Sequence, residues 1–357
     1  MARYPGDENE QRIDEAVLDR VVADIFSACG MSSQDAWLVA DSLVHADLRG
    51  IHSHGVMRVP VYVGKLMDEG VDPKGQPRVT RDHGAALVVD GANAMGQVAV
   101  SVAIRAAIER AERTGICAAA VANSNHCGAM DYYALMASEA DMIGIATTNA
   151  LPTMAPFGGA ERILGINPIG ISIPAGDHPA VVLDTSFGAT ARGRIEVYQQ
   201  KGLELPEGWA MDANGRPTTD PAVALGGLIA PIGAHKGSGL ALMTGLLSPV
   251  LTDAAYGTHL GSVEDGPAPG RDGQFVLVIN PAAFDEIGKV KARTDAAVDQ
   301  ILRSRRAPGF DEVLPPGRPE ANLMQEFAEA GIPLNQETID HIKAAAHRLG
   351  TDASALD

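Results

Sequence analysis

Apolar residues recur at helical spacing at the start of the chain, at Ile13, Val17, Val21, Ile25 and Phe26, and predict an amphipathic first helix. Ser32 or Ser33 offers an N-cap oxygen for a second helix through Val44, and Gly50 supplies its stop. A third helical stretch over 61–68 follows, with Pro60 in its first turn or as a kink. From Ala85 onward the pattern changes. Short β-branched runs at 86–89, 116–121 and 142–148 alternate with Ala-rich helical stretches at 97–113 and 130–139. Further strands are predicted at 168–173, 180–184 and 275–279, a glycine-started helix at 237–251, and closing helices at 289–305, 319–330 and 337–349. The alternation reads as α/β, with a central sheet framed by N- and C-terminal helices. The expected organisation is a helical part over 1–80, a central α/β part over 81–285, and C-terminal helices over 286–357 that pack with the first part. Residues 257–273, rich in Gly, Pro and acidic side chains, read as an exposed loop, and no internal repeat is visible.

With 357 residues, 46% of them hydrophobic, the chain can bury a large core spread over two lobes. A formal net charge of -17 with no local run of Lys or Arg excludes a nucleic-acid surface. An anionic ligand would therefore need a few well-placed cations. Residues 1–11 are too polar for a signal peptide and no apolar run reaches the length of a membrane span, so the expected location is the cytoplasm, without a membrane partner. Cys29, Cys117 and Cys127 are odd in number and lack CxxC spacing, which excludes a disulfide framework and a structural zinc site.

Within residues 49–58 stand His52, Ser53, His54 and Arg58. If the chain is helical there, His54 and Arg58 at i and i+4 share one face, and an imidazole that exchanges protons sits beside a fork that grips a carboxylate. Ser53 as a plain helix cap is the bland alternative. His52 and His54 lack a carboxylate nearby, so no metal is expected. His126 follows an apolar strand and precedes a helix, flanked by Asn123, Asn125 and Gly128, where open α/β sheets place ligands. An ordinary Asn/Gly turn would read the same way. Cys127 is taken as a buried small residue. His235 and Lys236, with Gly237 and Gly239, lead an apolar helix in the manner of an anion-binding N-terminus, unless the glycines serve close packing alone. No GxGxxG follows a strand and no GxxxxGK[ST] occurs, so the usual dinucleotide and mononucleotide fingerprints are absent. Asp184, ending the apolar run 180–183, could orient an imidazole or cap a helix. Ser53, His54 and Asp184 have the residue types of a hydrolase triad, but the GxSxG elbow is missing.

Taken together, the blocks Ala46-Asp47-Leu48-Arg49-Gly50-Ile51-His52-Ser53-His54-Gly55, Asn123-Ser124-Asn125-His126, Pro156-Phe157-Gly158-Gly159, Gly165-Ile166-Asn167-Pro168, Trp209-Ala210-Met211-Asp212, Pro217-Thr218-Thr219-Asp220-Pro221 and His235-Lys236-Gly237 resemble the malate/L-lactate dehydrogenase family of the second, non-Rossmann type. That family includes enzymes of ureidoglycolate, sulfolactate, diketogulonate and piperideine-carboxylate. The blocks look most like the ureidoglycolate and malate members. The resemblance spans residues 14–317 and implies a non-Rossmann fold, a homodimer, and hydride transfer between NAD or NADP and a small anionic 2-hydroxy or 2-oxo acid. It also implies roles. His54 is similar to the proton donor and acceptor, Ser53 and Asp184 to its relay partners, His126 to a second catalytic histidine that also touches the cofactor, and Arg58 with Thr148 to the substrate contacts. The cofactor is expected against Asn149, Pro156, Gly158, Asp184, Thr185, Ser186, His235 and Lys236, with Gly317, Arg318 and Glu320 closing over it. Arg318 or Arg192 would meet a 2′-phosphate. Ile166 stands where a threonine is common and Ser238 where a tyrosine is common. A cyclic imino acid or diketogulonate is the alternative substrate, and a non-catalytic anion-binding protein on this scaffold is the alternative of another class.

Overall fold

The computed structural model describes residues 9–262 and 266–357; the remainder of the polar stretch 1–11 and of the loop 257–273 lies outside the described residues. In chain order the elements are β1 (Gln11–Ile13), α1 (Glu15–Ala28), α2 (Ser33–Leu48), α3 (Val59–Met67), β2 (Arg78–Asp82), β3 (Ala86–Asp90), α4 (Gly96–Thr114), β4 (Ile116–Ser124), α5 (Met130–Glu139), β5 (Ile143–Thr148), β6 (Pro152–Met154) and β7 (Leu164–Gly165). There follow β8 (Ile169–Ile173), β9 (Val181–Thr185), α6 (Arg192–Gln200), β10 (Ala210–Met211), β11 (Pro217–Thr218), α7 (Pro221–Gly226), β12 (Leu228–Ile229), α8 (His235–Leu246), β13 (Asp272–Ile279), α9 (Ile287–Leu302), α10 (Arg318–Ala330), β14 (Ile332–Leu334) and α11 (Gln336–Leu349).

Local chemistry sets the helix ends. Asp14 caps α1 by accepting the Val17 N–H, and Ser32 rather than Ser33 caps α2 by accepting the Asp35 N–H. Gly50 takes φ +71 after the C-cap Arg49, a left-handed conformation that suits a glycine and ends α2. Pro60 occupies the first turn of α3, where its missing N–H costs no hydrogen bond. Ile13 continues the apolar spacing of α1 yet belongs to β1, because it pairs with Ile332 of β14 across the antiparallel β1–β14 ladder.

The central sheet is mixed, in the order β2-β3-β4-β13-β5-β8-β9, and only β3 and β4 run parallel. β13 comes from far along the chain and inserts between β4 and β5. α4 packs on β4 through Ala99, Ala103, Ala107 and Ala111, whose small side chains let the helix lie close to the sheet. A separate apolar core joins α1, α2 and α3 to Phe327 of α10 and to Ile339 and Ile342 of α11. α9 turns to another part of the molecule, where Asp295 accepts the Gly176, Asp177 and His178 N–H groups. The central sheet begins at Arg78, and β1 precedes it, both inside the stretch expected to be helical.

The loop 257–273 departs from expectation. Leu260 is buried, Asp272 is buried and opens β13, and the buried Lys65 ammonium ties the loop by donating to the Ser262 carbonyl at 2.7 Å and to that of Ala268. β2 escapes the sequence pattern because all five of its residues are exposed and none alternates inward. α8 ends at Leu246, five residues short of the expected end.

Gly96 opens α4 against the backbone of Asn125 and His126, where a Cβ would lie 2.1 Å from the Asn125 oxygen. Gly96→Ala is expected to destabilise the protein by about 2–4 kcal/mol, as overpacking against rigid backbone does. Denaturant unfolding of the variant checks it, and an unchanged midpoint would contradict the packing described.

Candidate active site

The turn between α2 and α3 is built on Asp47, which is 1% exposed. Its carboxylate accepts from His52 Nδ1 at 2.6 Å and from the Val56 N–H at 2.7 Å. Gly55 lies so close over this carboxylate that a Cβ would come within 2.2 Å of it. The result is two short 3-10 turns, His52–His54 and Val56–Arg58, separated by the extended Gly55. His54 and Arg58 therefore do not share the face of one α-helix, as their spacing suggested; they meet through the folded turn. Ser53 Oγ lies 2.9 Å from His54 Nδ1, and Arg58 Nε donates to the Ser53 carbonyl at 2.8 Å. Arg58 Nη2 also approaches Glu196 at 3.5 Å.

His126, from the segment after β4, stacks on His54 with ring centroids 5.9 Å apart and planes 18° apart. Its Nδ1 accepts from the buried Tyr62 hydroxyl at 2.7 Å and from the Gly128 N–H at 3.4 Å, and Gln97 Nε2 donates to the Tyr62 hydroxyl at 3.3 Å. A backbone N–H can only donate, so Nδ1 carries a lone pair and the ring proton of neutral His126 sits on Nε2. Burial, with the neighbouring His126 and Arg58, pushes His54 down to about 3; burial and Arg58 push His126 down to about 4. Both rings are neutral at pH 7. Tyr62 and Gln97 escaped the sequence reading because an apolar helical pattern conceals a hydroxyl that touches a ring 64 residues away.

These rings stand where two lobes of one cleft meet. One lobe, about 1490 Å³, is lined by His54, Arg58, His126, Thr148, Asn149 and Arg192 among others. The other, about 990 Å³, is lined by Ser53, His54, Asp131, Asp184, Thr185, Ser186 and Glu320 among others. His54, Gly128, Ile166, Pro168 and Ala191 belong to both. Ile166, in place of the expected threonine, is thus an apolar junction between the lobes.

Asp184 shares the second lobe with Ser53 and His54 but has no hydrogen bond to an imidazole among the described residues. Its carboxylate accepts the Asp131 N–H at 2.9 Å and so caps α5 from β9, while Asp131 pairs with Arg49 at 2.6 Å in full burial. Burial, and the Asp131 carboxylate beside it, push the Asp184 carboxyl well above the usual range. The helix-capping reading prevails over the imidazole-orienting one, and with it goes the hydrolase triad. Ser53 Oγ is buried and turned to its own neighbour.

Asn149 lines the first lobe, yet its amide is spent on Ala255 and Gly273. Asn123 donates to Asp90, and Asn125 to Asn93 and Ala94. The amides around His126 fix the loop rather than face the cleft. Cys127 is buried, which pushes its thiol far up and makes it inert. Pro156, Gly158, His235 and Lys236 lie together at the start of α8 and line neither lobe. Ser238 Oγ accepts the Phe157 N–H at 3.0 Å there, so this serine ties the 156–159 turn to the helix. A Cβ on Gly237 would meet the Ile232 carbonyl at 2.2 Å, the packing explanation of that glycine. Gly317 packs over Val182, and Arg318 Nη2 bonds His178 Nδ1 at 2.9 Å, away from both lobes.

The cleft has two lobes that share a wall, the form an extended ligand such as a dinucleotide needs. Thr190 Oγ1 in one wall and Thr153 Oγ1 in the other are buried without a protein partner among the described residues, and each is a hydroxyl for a ligand to engage. Among the described residues, no group of three or more His, Cys, Asp or Glu is arranged to hold a metal ion.

A model of the malate/L-lactate dehydrogenase family matches residues 13–343. The chain is 36% identical over 352 residues to the malate dehydrogenase of Pyrococcus abyssi, covering 96% of each chain. It is 31% identical to the NAD(+) ureidoglycolate dehydrogenase of Escherichia coli K12, covering 93% of each. The solved sulfolactate dehydrogenase of Methanocaldococcus jannaschii superposes with a TM-score of 0.88 at 35% identity, covering 96% of this chain and 98% of that one.

Depressed imidazole pKa values mean that the neutral form persists as pH falls, down to the folded value. The Cε1–H resonances of His54 and His126 are expected at neutral-ring shifts at pH 5.5 and to move only as the pH approaches about 3 for His54 and about 4 for His126. Histidine NMR titration checks this, and a midpoint of about 6.5 for either ring would refute the buried neutral pair.

Proposed function

The chain belongs to the malate/L-lactate dehydrogenase family, and from that premise we propose that the neutral His54–His126 pair and Arg58 perform the proton transfer and substrate binding of a 2-hydroxy acid dehydrogenase. One observation carries the assignment: two stacked imidazoles and a guanidinium open into the same lobe of an otherwise strongly acidic chain. Arg58 holds the C1 carboxylate through its fork. His54 takes the C2 hydroxyl proton on Nε2. Neutral His54 with a bare Nε2 carries its proton on Nδ1, so Ser53 Oγ accepts from Nδ1–H both before and after the transfer and holds the ring in that tautomer. His126, with Nδ1 occupied, donates its Nε2–H to the same substrate oxygen. A bound carboxylate offsets the Arg58 charge that helps depress both rings, so substrate raises the basicity of His54 at the moment it is needed. A bound nicotinamide would supply the hydride exchange with C2, and these side chains would supply the positioning and the proton.

Thr185, Ser186 and Glu320 would hold the cofactor in the second lobe. NAD is the cofactor proposed for that lobe, as for the relative named for NAD(+). Of the cations near it, Arg49 pairs with Asp131 and Arg318 bonds His178 outside it, while Arg194 also lines it. Buried free thiols at Cys29, Cys117 and Cys127 suit a reducing cytoplasm. A homodimer would cover the apolar strip formed by Leu240, Met243, Leu247, Val250 and Leu251, of which Met243 and Val250 are two-thirds exposed.

The test is reduction of NAD and NADP by a panel of malate, lactate, sulfolactate and ureidoglycolate, with a cyclic imino acid run in reverse. His54→Asn is expected to lower kcat by about 10²–10⁴-fold while cofactor fluorescence still reports binding. Full turnover in both His54→Asn and His126→Asn would overturn the assignment. For the dimer, Met243→Asp combined with Val250→Asp should halve the mass seen by light scattering; an unchanged mass would move the interface elsewhere.

A further inference from the structure

The lobe that receives the substrate carries more positive charge than one carboxylate uses. Arg58, Arg162 and Arg192 all line it. Glu196 bridges Arg58 and Arg192, at 3.5 and 3.2 Å. Arg162 and Arg192 both donate to the Leu225 carbonyl, at 3.1 and 3.2 Å, and Arg162 Nε donates to the Gly227 carbonyl at 2.7 Å. Two guanidinium groups are thereby gathered on one acceptor at the end of α7. Like charges gathered on one acceptor repel each other. Such an arrangement is favourable when an anion bridges it.

The carboxylates nearby do not supply that anion. Glu196 is shared between Arg58 and Arg192. Asp272, the carboxyl that lines this lobe, is pushed up to about 7 by burial and is close to half protonated at neutral pH. Thr153 Oγ1, buried in the same wall without a protein partner, adds a hydroxyl donor. A 2-hydroxy acid with only a methyl group beyond C2 would satisfy Arg58 and leave the second cluster facing an apolar group.

We propose that Arg162 and Arg192, with Thr153, form a second anion subsite, and that the acid oxidised here is a dianion whose C1 carboxylate lies on Arg58 and whose distal carboxylate or sulfonate lies on the arginine pair. This rests on the dehydrogenase reading and narrows it from 2-hydroxy acids in general to those with two negative groups. Glu196 then keeps Arg58 and Arg192 apart and oriented before the substrate arrives.

The experiment compares kcat/KM for L-malate and L-lactate in the wild type, Arg162→Gln, Arg162→Lys and Arg192→Gln, together with the Tm shift each acid produces with the cofactor present. The wild type is expected to favour malate. Arg162→Gln should reduce the malate-to-lactate ratio by about 10- to 100-fold through KM, the loss of one charge-assisted hydrogen bond, and Arg162→Lys should restore part of it. A ratio near one in the wild type, or one that none of the substitutions moves, would sink the second subsite while leaving the dehydrogenase intact. A malate-selective Tm shift that Arg162→Gln abolishes, without turnover of either acid, would support the subsite and remove the dehydrogenase reading instead. No shift and no turnover with either acid would overturn both.

Discussion

A single buried carboxylate shapes the turn between α2 and α3. The oxygens of a buried carboxylate need donors, and Asp47 recruits one from the His52 ring and one from the Val56 backbone. Meeting both demands draws the chain after α2 into two tight turns and leaves no room for a side chain at Gly55. Ser53, His54 and Arg58 take their positions from that fold. Arg58 reaches back to the Ser53 carbonyl, and the His54 ring closes on the Ser53 hydroxyl. The turn is therefore an organised unit before any ligand enters.

The opposite wall is rigid for a different reason. His126 is held through its Nδ1 by Tyr62, whose hydroxyl is in turn met by Gln97 from α4, and Gly96 beside it presses on the His126 backbone. Helix α3, helix α4 and the segment after β4 thus converge on one ring. The two imidazoles can stack at close range because both are neutral; two imidazolium rings at that separation would repel. Burial that removes their charge is also what makes one of them available as a base.

Charge distribution ties these walls to the rest of the chain. A protein with net charge -17 repels small acids over most of its surface, and the arginines of the cleft reverse the sign locally. The second lobe differs. There Arg49 pairs with Asp131, Asp184 caps α5, and Arg194, Glu320, Thr185 and Ser186 give the wall a mixed polarity. One cleft thus joins a lobe lined by three arginines to a lobe of mixed polarity.

The sequence by itself determined the alternation of strands and helices, their approximate ends, the absence of the Rossmann fingerprint, and which side chains are candidates for proton transfer and anion binding. These follow from local rules: apolar periodicity, the caps at Asp14 and Ser32, the glycine at position 50, and the chemistry of imidazole and guanidinium. The tertiary structure alone decided the rest. β13 joins the sheet between β4 and β5 from more than a hundred residues away, a pairing that its own apolar run cannot specify. Asp184 caps α5 because β9 lies at that helix's end, whereas its place in the chain fits an imidazole partner equally well. The contact of Tyr62 with His126, the paired arginines on Leu225 and the turn wrapped around Asp47 all depend on buried polar groups finding partners. Which partner is in reach is a property of packing in three dimensions, where residues far apart in sequence are brought within hydrogen-bond distance.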